Sequence, residues 1–433
     1  MDEAVYSRDL ENLKNPPILI LNNDCLLKIF SYFDIVELID LETVCERFFE
    51  VIREEYKIRR MFDYREVQSK HGKDQMTLEL VTKIAERIGP YLHTLYFDSI
   101  SSKNVVLQFA TMLGQCTNLE YLNIDDEMSK LLSDATIQEL LVKRSGKLRK
   151  VNLKGSYDYV GKRYTTLHDG NTQFLQQVTS LSLSYIDVHG MWFTNLPNLK
   201  EFIVQRVHGG RSDFGSFLTF CERQTTLEVL KIVNCDFFND SCLEAITKHL
   251  RNLRCLEIQC GDKLFSNLRS ISDLPHLTEI VILGPRPIQN LLDGLIVRNV
   301  LESLHIFIPE NLDLGQVLQP LSKIRNLKSL GIRCANFTDD DFVNLPPSTT
   351  NTLEYLNFNL SSITDDGVCY LVRRYEFLKT LYMGKVESLP ENLAVKLQSI
   401  LTDRAHCLMI YLARSYENTN MPNINVPNLT FKY

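Results

Sequence analysis

One short pattern, repeated along most of the chain, limits what it can fold into. An apolar residue, two variable residues, an apolar residue, one variable residue and a third apolar residue recur in order. The early copies are Leu92-x-x-Leu95-x-Phe97, Leu119-x-x-Leu122-x-Ile124, Leu148-x-x-Val151-x-Leu153, Val178-x-x-Leu181-x-Leu183 and Leu199-x-x-Phe202-x-Val204. The later ones are Leu227-x-x-Leu230-x-Ile232, Leu253-x-x-Leu256-x-Ile258, Leu277-x-x-Ile280-x-Ile282, Leu301-x-x-Leu304-x-Ile306, Leu327-x-x-Leu330-x-Ile332, Leu353-x-x-Leu356-x-Phe358 and Leu378-x-x-Leu381-x-Met383. From Leu227 onward they follow at about 24 to 28 residues, a period typical of solenoids. A single copy means little; twelve in register predict one supersecondary unit used again and again.

The second half of each copy alternates apolar and variable, which is strand spacing. The stretch after it often has helical spacing, as in Asp240–Leu250, where Asp240 is expected to cap a helix with apolar residues three or four apart. One strand and one helix cannot bury their apolar faces alone. Stacked units can, so the expected fold is α/β, a solenoid with a parallel inner sheet and a helical convex side. The repeats should fill residues 91–412, about twelve or thirteen units, after a helical linker at 65–90. Insertions interrupt the early units at Asp125-Asp126-Glu127, Gly155–Tyr164 and His208–Asp213; of these the Tyr/Lys/Arg-bearing second loop has the composition of an interface anchor. The last strand is expected at Cys407–Tyr411. The tail, 413–433, turns polar, with Asn418, Asn420, Asn423, Asn425 and Asn428, and is expected to be extended or frayed.

Residues 1–15 form an extension, and residues 16–64 depart from the repeat. Asn22 or Asn23 is positioned to cap a helix carrying Leu26, Leu27, Ile29, Phe30 and Phe33. Asp34 is positioned to cap a second with Val36, Leu38, Ile39 and Leu41, and a third carries Val44, Cys45, Phe48, Phe49, Val51 and Ile52. Three short helices cannot hide so wide an apolar surface among themselves, so a helical partner is expected on physical grounds alone.

Composition narrows the function. A net charge of -7 lacks the basic surplus of a nucleic-acid binder, and 44% hydrophobic residues suffice for a packed core. Met1-Asp2-Glu3 opens no secretory signal, and no apolar run is long enough for a membrane span, so a cytoplasmic or nuclear location is expected. The 11 cysteines form no C-x-x-C pair and read as buried thiols in a reducing compartment. There is no phosphate-binding loop and no H-E-x-x-H spacing, so no catalytic residue, metal site or cofactor is expected. Asp339-Asp340-Asp341 and Asp365-Asp366 sit where helix caps belong. The sequon Asn428-Leu429-Thr430 is expected to be inert without secretion.

The N-terminal segment resembles the F-box. Its match runs through Leu21-Asn22, Asp24, Leu26-Leu27, Ile29-Phe30-Ser31-Tyr32-Phe33, Glu37-Leu38, Val44-Cys45 and Phe48, with Asn22 replacing the family's Pro and Phe48 its usual Trp. The array resembles the cysteine-containing subtype of leucine-rich repeat, LxxLxLxxCxxITDxGL, at Cys235-x-x-Phe238-Asn239-Asp240, at Cys334-x-x-Phe337-Thr338-Asp339 and, without the Cys, at Ile363-Thr364-Asp365-Asp366-Gly367. Together the resemblances imply an F-box and leucine-rich repeat protein, a non-catalytic substrate-recognition subunit of a Skp–cullin–F-box ubiquitin ligase. Leu21, Leu26, Leu27, Phe30 and Leu38 would dock the Skp-type adaptor, and through it cullin and a RING protein. The repeats would hold a protein substrate for ubiquitination and proteasomal degradation. The alternative is a scaffold or sequestering module outside the ligase. Inner-face positions of the repeats include Tyr121, Asn123, Lys150, Asn152, Lys154, Lys231 and Glu257. Those chosen as substrate-binding are His305, Phe307, Arg333, Tyr355, Asn357 and Tyr382.

Overall fold

In a computed structural model of the full chain, the described residues are 17–433 apart from 99–103, 126–127, 156–164, 168–171, 189–195, 210, 260–264, 285–288, 299, 309–313, 335–336, 346–351, 387–389, 402–403, 405, 413–427 and 433. Most of the Tyr/Lys/Arg loop and of the polar tail therefore lies outside the described residues. The chain divides into two compact units, Met1–Asp187 and Val188–Tyr433.

The first unit opens with three helices, α1 (Asn23–Phe30), α2 (Ile35–Leu41) and α3 (Glu46–Ile58). Asn22 caps α1 by accepting the Cys25 N–H at 2.8 Å. Asp34 caps α2 in a reciprocal box with Glu37. The apolar stripes of the three helices meet in a core of Leu26, Phe30, Ile35, Leu38, Phe48, Val51, Ile52 and Tyr56. Phe30 meets Phe48 edge to face at 5.0 Å, so Phe at the usual Trp position still supplies the aromatic contact.

The chain then enters a sheet earlier than the sequence suggests. Met61–Asp63 is a strand that pairs in parallel with Thr94–Asp98. Helices Tyr64–His71 and Leu78–Ile88 lie between them. The sheet of this unit continues through Tyr121–Asp125, Lys150–Lys154 and Ser180–Ser184, all parallel. Its register aligns Leu95, Leu122, Val151 and Leu181 in one column and Phe97, Ile124, Leu153 and Leu183 in the next, and all eight are fully buried.

The second unit repeats the arrangement over ten strands: Glu201–Gln205, Val229–Val233, Cys255–Gln259, Glu279–Leu283, Ser303–Phe307, Ser329–Arg333, Tyr355–Ile363, Thr380–Val386, Leu408–Leu412 and Leu429–Lys432. Neighbouring strands pair in parallel, and Phe202, Leu230, Leu256, Ile280, Leu304, Leu330, Leu356, Leu381 and Ile410 share one buried column. The leucine-rich-repeat solenoid expected from the spacing is thus the fold. One expectation is corrected. The tail does not end frayed, because Leu429–Lys432 adds a further strand to Leu408–Leu412. Alternating Leu429, with Phe431 two residues on, extends the apolar spacing that this pairing requires.

The turn motif of the cysteine subtype also has a physical account. Cys235 is buried after its strand, its thiol 3.5 Å from the Val233 carbonyl and 3.6 Å from that of Val204. Asn239, not Asp240, caps helix Asp240–His249, accepting from the N–H groups of Ser241 and Cys242. Asp240 reaches the next repeat instead and accepts from Ser266 N at 3.0 Å and Ser266 Oγ at 2.8 Å. Asp339 does the same, accepting from the Thr364 N–H at 3.1 Å and from the Thr364 hydroxyl. The acidic residue of this motif is therefore a tie between successive repeats.

A row of residues, all charged but Thr278, stands one residue ahead of these strands: Lys200, Glu228, Arg254, Thr278, Glu302, Lys328, Glu354 and Lys379. Neighbours pair across the repeats, Arg254 with Glu228 at 3.8 Å, Lys328 with Glu302 at 2.9 Å and Lys379 with Glu354 at 2.8 Å. Exposed pairs of this kind contribute little stability each, about 0 to 1 kcal/mol.

Candidate functional site

The F-box surface is set by which part of each apolar stripe the helices consume. Leu26, Phe30 and Leu38, expected at the docking face, are 0%, 1% and 0% exposed, so they form the interior of the three helices. This corrects their assignment: a side chain with no exposed surface shapes a docking face from beneath without touching a partner. Leu21 and Leu27 remain half-exposed. The stripe argument left out Ile18 and Ile20, and it placed Val44 on the third helix, which in fact begins at Glu46. These three residues are 37%, 77% and 63% exposed, and they precede α1 and α3, beyond any helical periodicity. Tyr32, just past the end of α1, is exposed as well.

The entry turn, where Asn22 stands in place of Pro, is fixed by Arg47. Its guanidinium donates to the Leu19 and Leu21 carbonyls and to Asn23 Oδ1 at 3.0 Å. That fork holds the turn bearing Ile18 and Ile20 against the first turn of α3, beside Val44. Two further ties lock the F-box to the helices that follow it. Arg87 makes a bidentate pair with Glu42 at 2.8–3.1 Å, and the Tyr56 hydroxyl donates to Glu42 at 2.9 Å. Asp34 receives Lys70 at 2.6 Å and lies 2.7 Å from His71 Nε2. Burial pushes the Asp34 carboxyl up, but Lys70, the Glu37 N–H and His71 outweigh it and hold the group at about 2.

The inner face of the second unit carries the other expected site. Strand register places Lys231, Glu257, Val281, His305, Gly331, Asn357, Tyr382 and Tyr411 side by side along successive strands. Tyr355 stands two residues before Asn357 on its strand, and Asn357 Nδ2 donates to its hydroxyl at 3.3 Å. The rings make a continuous row. Tyr382 and Tyr411 stack at 4.1 Å and 3°, Tyr355 meets Tyr382 at 5.7 Å, and His305 meets Tyr355 at 5.7 Å. His305 and Tyr355 lie two strands apart, and they meet because Gly331 between them has no side chain; a Cβ there would collide with His305 Nδ1. Burial lowers the His305 pKa despite the nearby carboxylates of Glu279 and Glu257. Arg333 lies over the Phe307 ring at 6.0 Å, at the outer margin of the row.

The six chosen inner-face residues thus fall on one surface, with His305, Tyr355, Asn357 and Tyr382 joined directly and Phe307 paired with Arg333. Tyr411 was not among them; its place in the stack follows from the ninth strand's register, not from any motif.

No group of three or more His, Cys, Asp or Glu is arranged to hold a metal among the described residues. No helix among them is long and apolar enough to cross a membrane.

Residues 18–60 match the F-box domain family. No curated protein matches the chain. Among solved structures, the chain is similar to one from the Rad7 and Elc1 complex in yeast, at 15% identity and a TM-score of 0.43, covering 84% of this chain and 94% of that one. It is also similar to the TLR13–ssRNA13 complex, at 18% identity and a TM-score of 0.40, covering 78% of this chain but only 48%, about half, of that one. A third is the ectodomain of the Arabidopsis receptor kinase HAESA with a peptide hormone, at 13% identity and a TM-score of 0.39, covering 78% and 51%.

Proposed function

We propose, from the premise that the chain is an F-box protein with leucine-rich repeats, that it is the substrate-recognition subunit of a Skp–cullin–F-box ubiquitin ligase. The observation that carries this reading is the apolar surface left exposed on a domain of F-box sequence: Ile18, Ile20 and Val44, with Leu21 and Leu27 half-exposed beside them. Several exposed apolar groups gathered on one small domain support a surface that another protein covers. A Skp-type adaptor docks there, over an interface of at least about 1,200 Å². The adaptor brings cullin and a RING protein. His305, Phe307, Arg333, Tyr355, Asn357 and Tyr382 take part in holding the substrate. The chain then acts by placement, raising the effective concentration of substrate lysines near the charged conjugating enzyme, without bond chemistry of its own.

The test is affinity purification from cells of the wild type and of Ile20→Asp/Val44→Asp, followed by mass spectrometry. Both substitutions lie outside the core, so the variant should keep its circular dichroism and lose the adaptor and cullin together. Adaptor without cullin on the wild type points to a sequestering module outside the ligase. A folded wild type that brings neither leaves only a repeat scaffold.

A further inference from the structure

The first unit carries a basic run that neither the adaptor face nor the six inner-face residues accounts for. Five of the eight residues from Lys143 to Lys150 are Lys or Arg and none is acidic, in a chain whose net charge is -7. Lys143 and Arg144 occupy the last turn of helix Ala135–Arg144, where the helix dipole favours cations. Lys147, Arg149 and Lys150 lie past that helix, on the turn into strand Lys150–Lys154, where no dipole calls for them.

The surroundings hold these cations without neutralising them. Arg144 is half-buried and donates to the Gly114 carbonyl at 2.5 Å. Lys147 Nζ donates to Asn118 Oδ1 at 2.5 Å, and Arg149 donates to the Leu148 carbonyl at 3.1 Å. Lys150 lies over the Tyr121 ring, 5.4 Å from its centroid. Every one of these partners is uncharged. Among the described residues none of the five cations forms a salt bridge. Glu120, which precedes the neighbouring strand as Arg149 precedes its own, turns to His93 at 3.0 Å, and Asp125 holds Lys154 at 2.8 Å. Glu139, one turn ahead of Lys143, is the acid of that helix. Setting both Glu120 and Glu139 against the run still leaves cations in excess.

Lys143, Lys147, Arg149 and Lys150 are all exposed. Crowded like charges repel one another, and an anionic partner relieves that repulsion. The patch is local, and this decides between kinds of anion. A long polyanion such as a nucleic acid would run past it onto a chain of net negative charge. A short acidic stretch of a protein meets the patch alone.

We infer that the surface from Lys143 to Lys150 binds a short acidic segment of a partner protein, whose carboxylates pair with Lys147, Arg149 and Lys150. This surface shares no residue with the adaptor face or with the six inner-face residues. The inference therefore goes beyond the proposed function, and either can fail without the other.

The probes are fluorescein-labelled (Glu-Ala)4 and (Lys-Ala)4 peptides and a labelled oligothymidylate of similar length, titrated by fluorescence anisotropy with the purified full chain. The acidic peptide should bind, the basic one should not, and the oligothymidylate should bind more weakly than the acidic peptide. Lys147→Gln/Lys150→Gln should weaken binding of the acidic peptide about fivefold, the scale of two exposed ion contacts. Lys147→Arg/Lys150→Arg, which keeps both charges, should bind as the wild type does and guards against a folding defect. Lys248→Gln/Lys323→Gln removes two exposed cations from the second unit and should leave affinity unchanged. Absence of binding, equal binding of the two peptides, or equal losses from the two Gln pairs would each overturn the inference. Tighter binding of the oligothymidylate would overturn it in favour of a nucleic acid.

Discussion

At the scale of single residues, the F-box shows how a side chain's identity and its role come apart. Phe30 and Ile20 are both large and apolar, ten positions apart, yet one is 1% and the other 77% exposed. Phe30→Ala should therefore cost about 3 to 5 kcal/mol of domain stability through a cavity beside Phe48. Ile20→Asp should change stability by less than about 0.5 kcal/mol. Urea denaturation followed by circular dichroism separates the two, and equal losses would show that Ile20 belongs to the core. The sequence made the helices and their caps legible, because Asn22 and Asp34 stand where orphan N–H groups need acceptors. It did not reveal which residues of a wide stripe turn inward, since three helices can share an apolar surface in more than one way. It gave no sign of Arg47 either: the residues it pins lie more than twenty positions away.

At the scale of elements, the strands were legible and the joints between them less so. Alternation marks a five-residue strand, but Met61–Asp63 has only three residues and too little alternation to be distinguished from the end of a helix. The capping register slipped by one residue for a related reason. Asn239 and Asp240 are both good caps, and only the backbone decides which side chain folds back on its own helix and which reaches forward. The two roles predict different outcomes. Asn239→Ala should cost about 1 kcal/mol, felt within helix Asp240–His249. Asp240→Ala should leave that helix intact and loosen the following turn at Ser266. Amide exchange read peptide by peptide checks this, and faster exchange confined to the helix in both variants would contradict the division.

At the scale of the whole molecule, each of the two units is a stack in which a repeat meets chiefly its neighbours. Leu330, fully buried in the column of the second unit, touches strands on both sides through its register with Leu304 and Leu356. Leu330→Ala should cost about 2 to 5 kcal/mol. Its effect on hydrogen exchange should be greatest in Ser303–Phe307 and Tyr355–Ile363 and fade by Glu201–Gln205; uniform acceleration would mean that the unit opens as a single block. The charge row ahead of the strands bears on how such a stack can change its length. Within each alternating run, Lys200 to Arg254 and Glu302 to Lys379, losing or duplicating one interior repeat sets like charges side by side, whereas losing or duplicating two keeps the signs alternating. Thr278, which carries no charge, is where the alternation shifts phase, Arg254 on one side and Glu302 on the other. The array thus has a parity rule, and Thr278 is the seam at which an odd number of repeats can be spliced in or out without offending it.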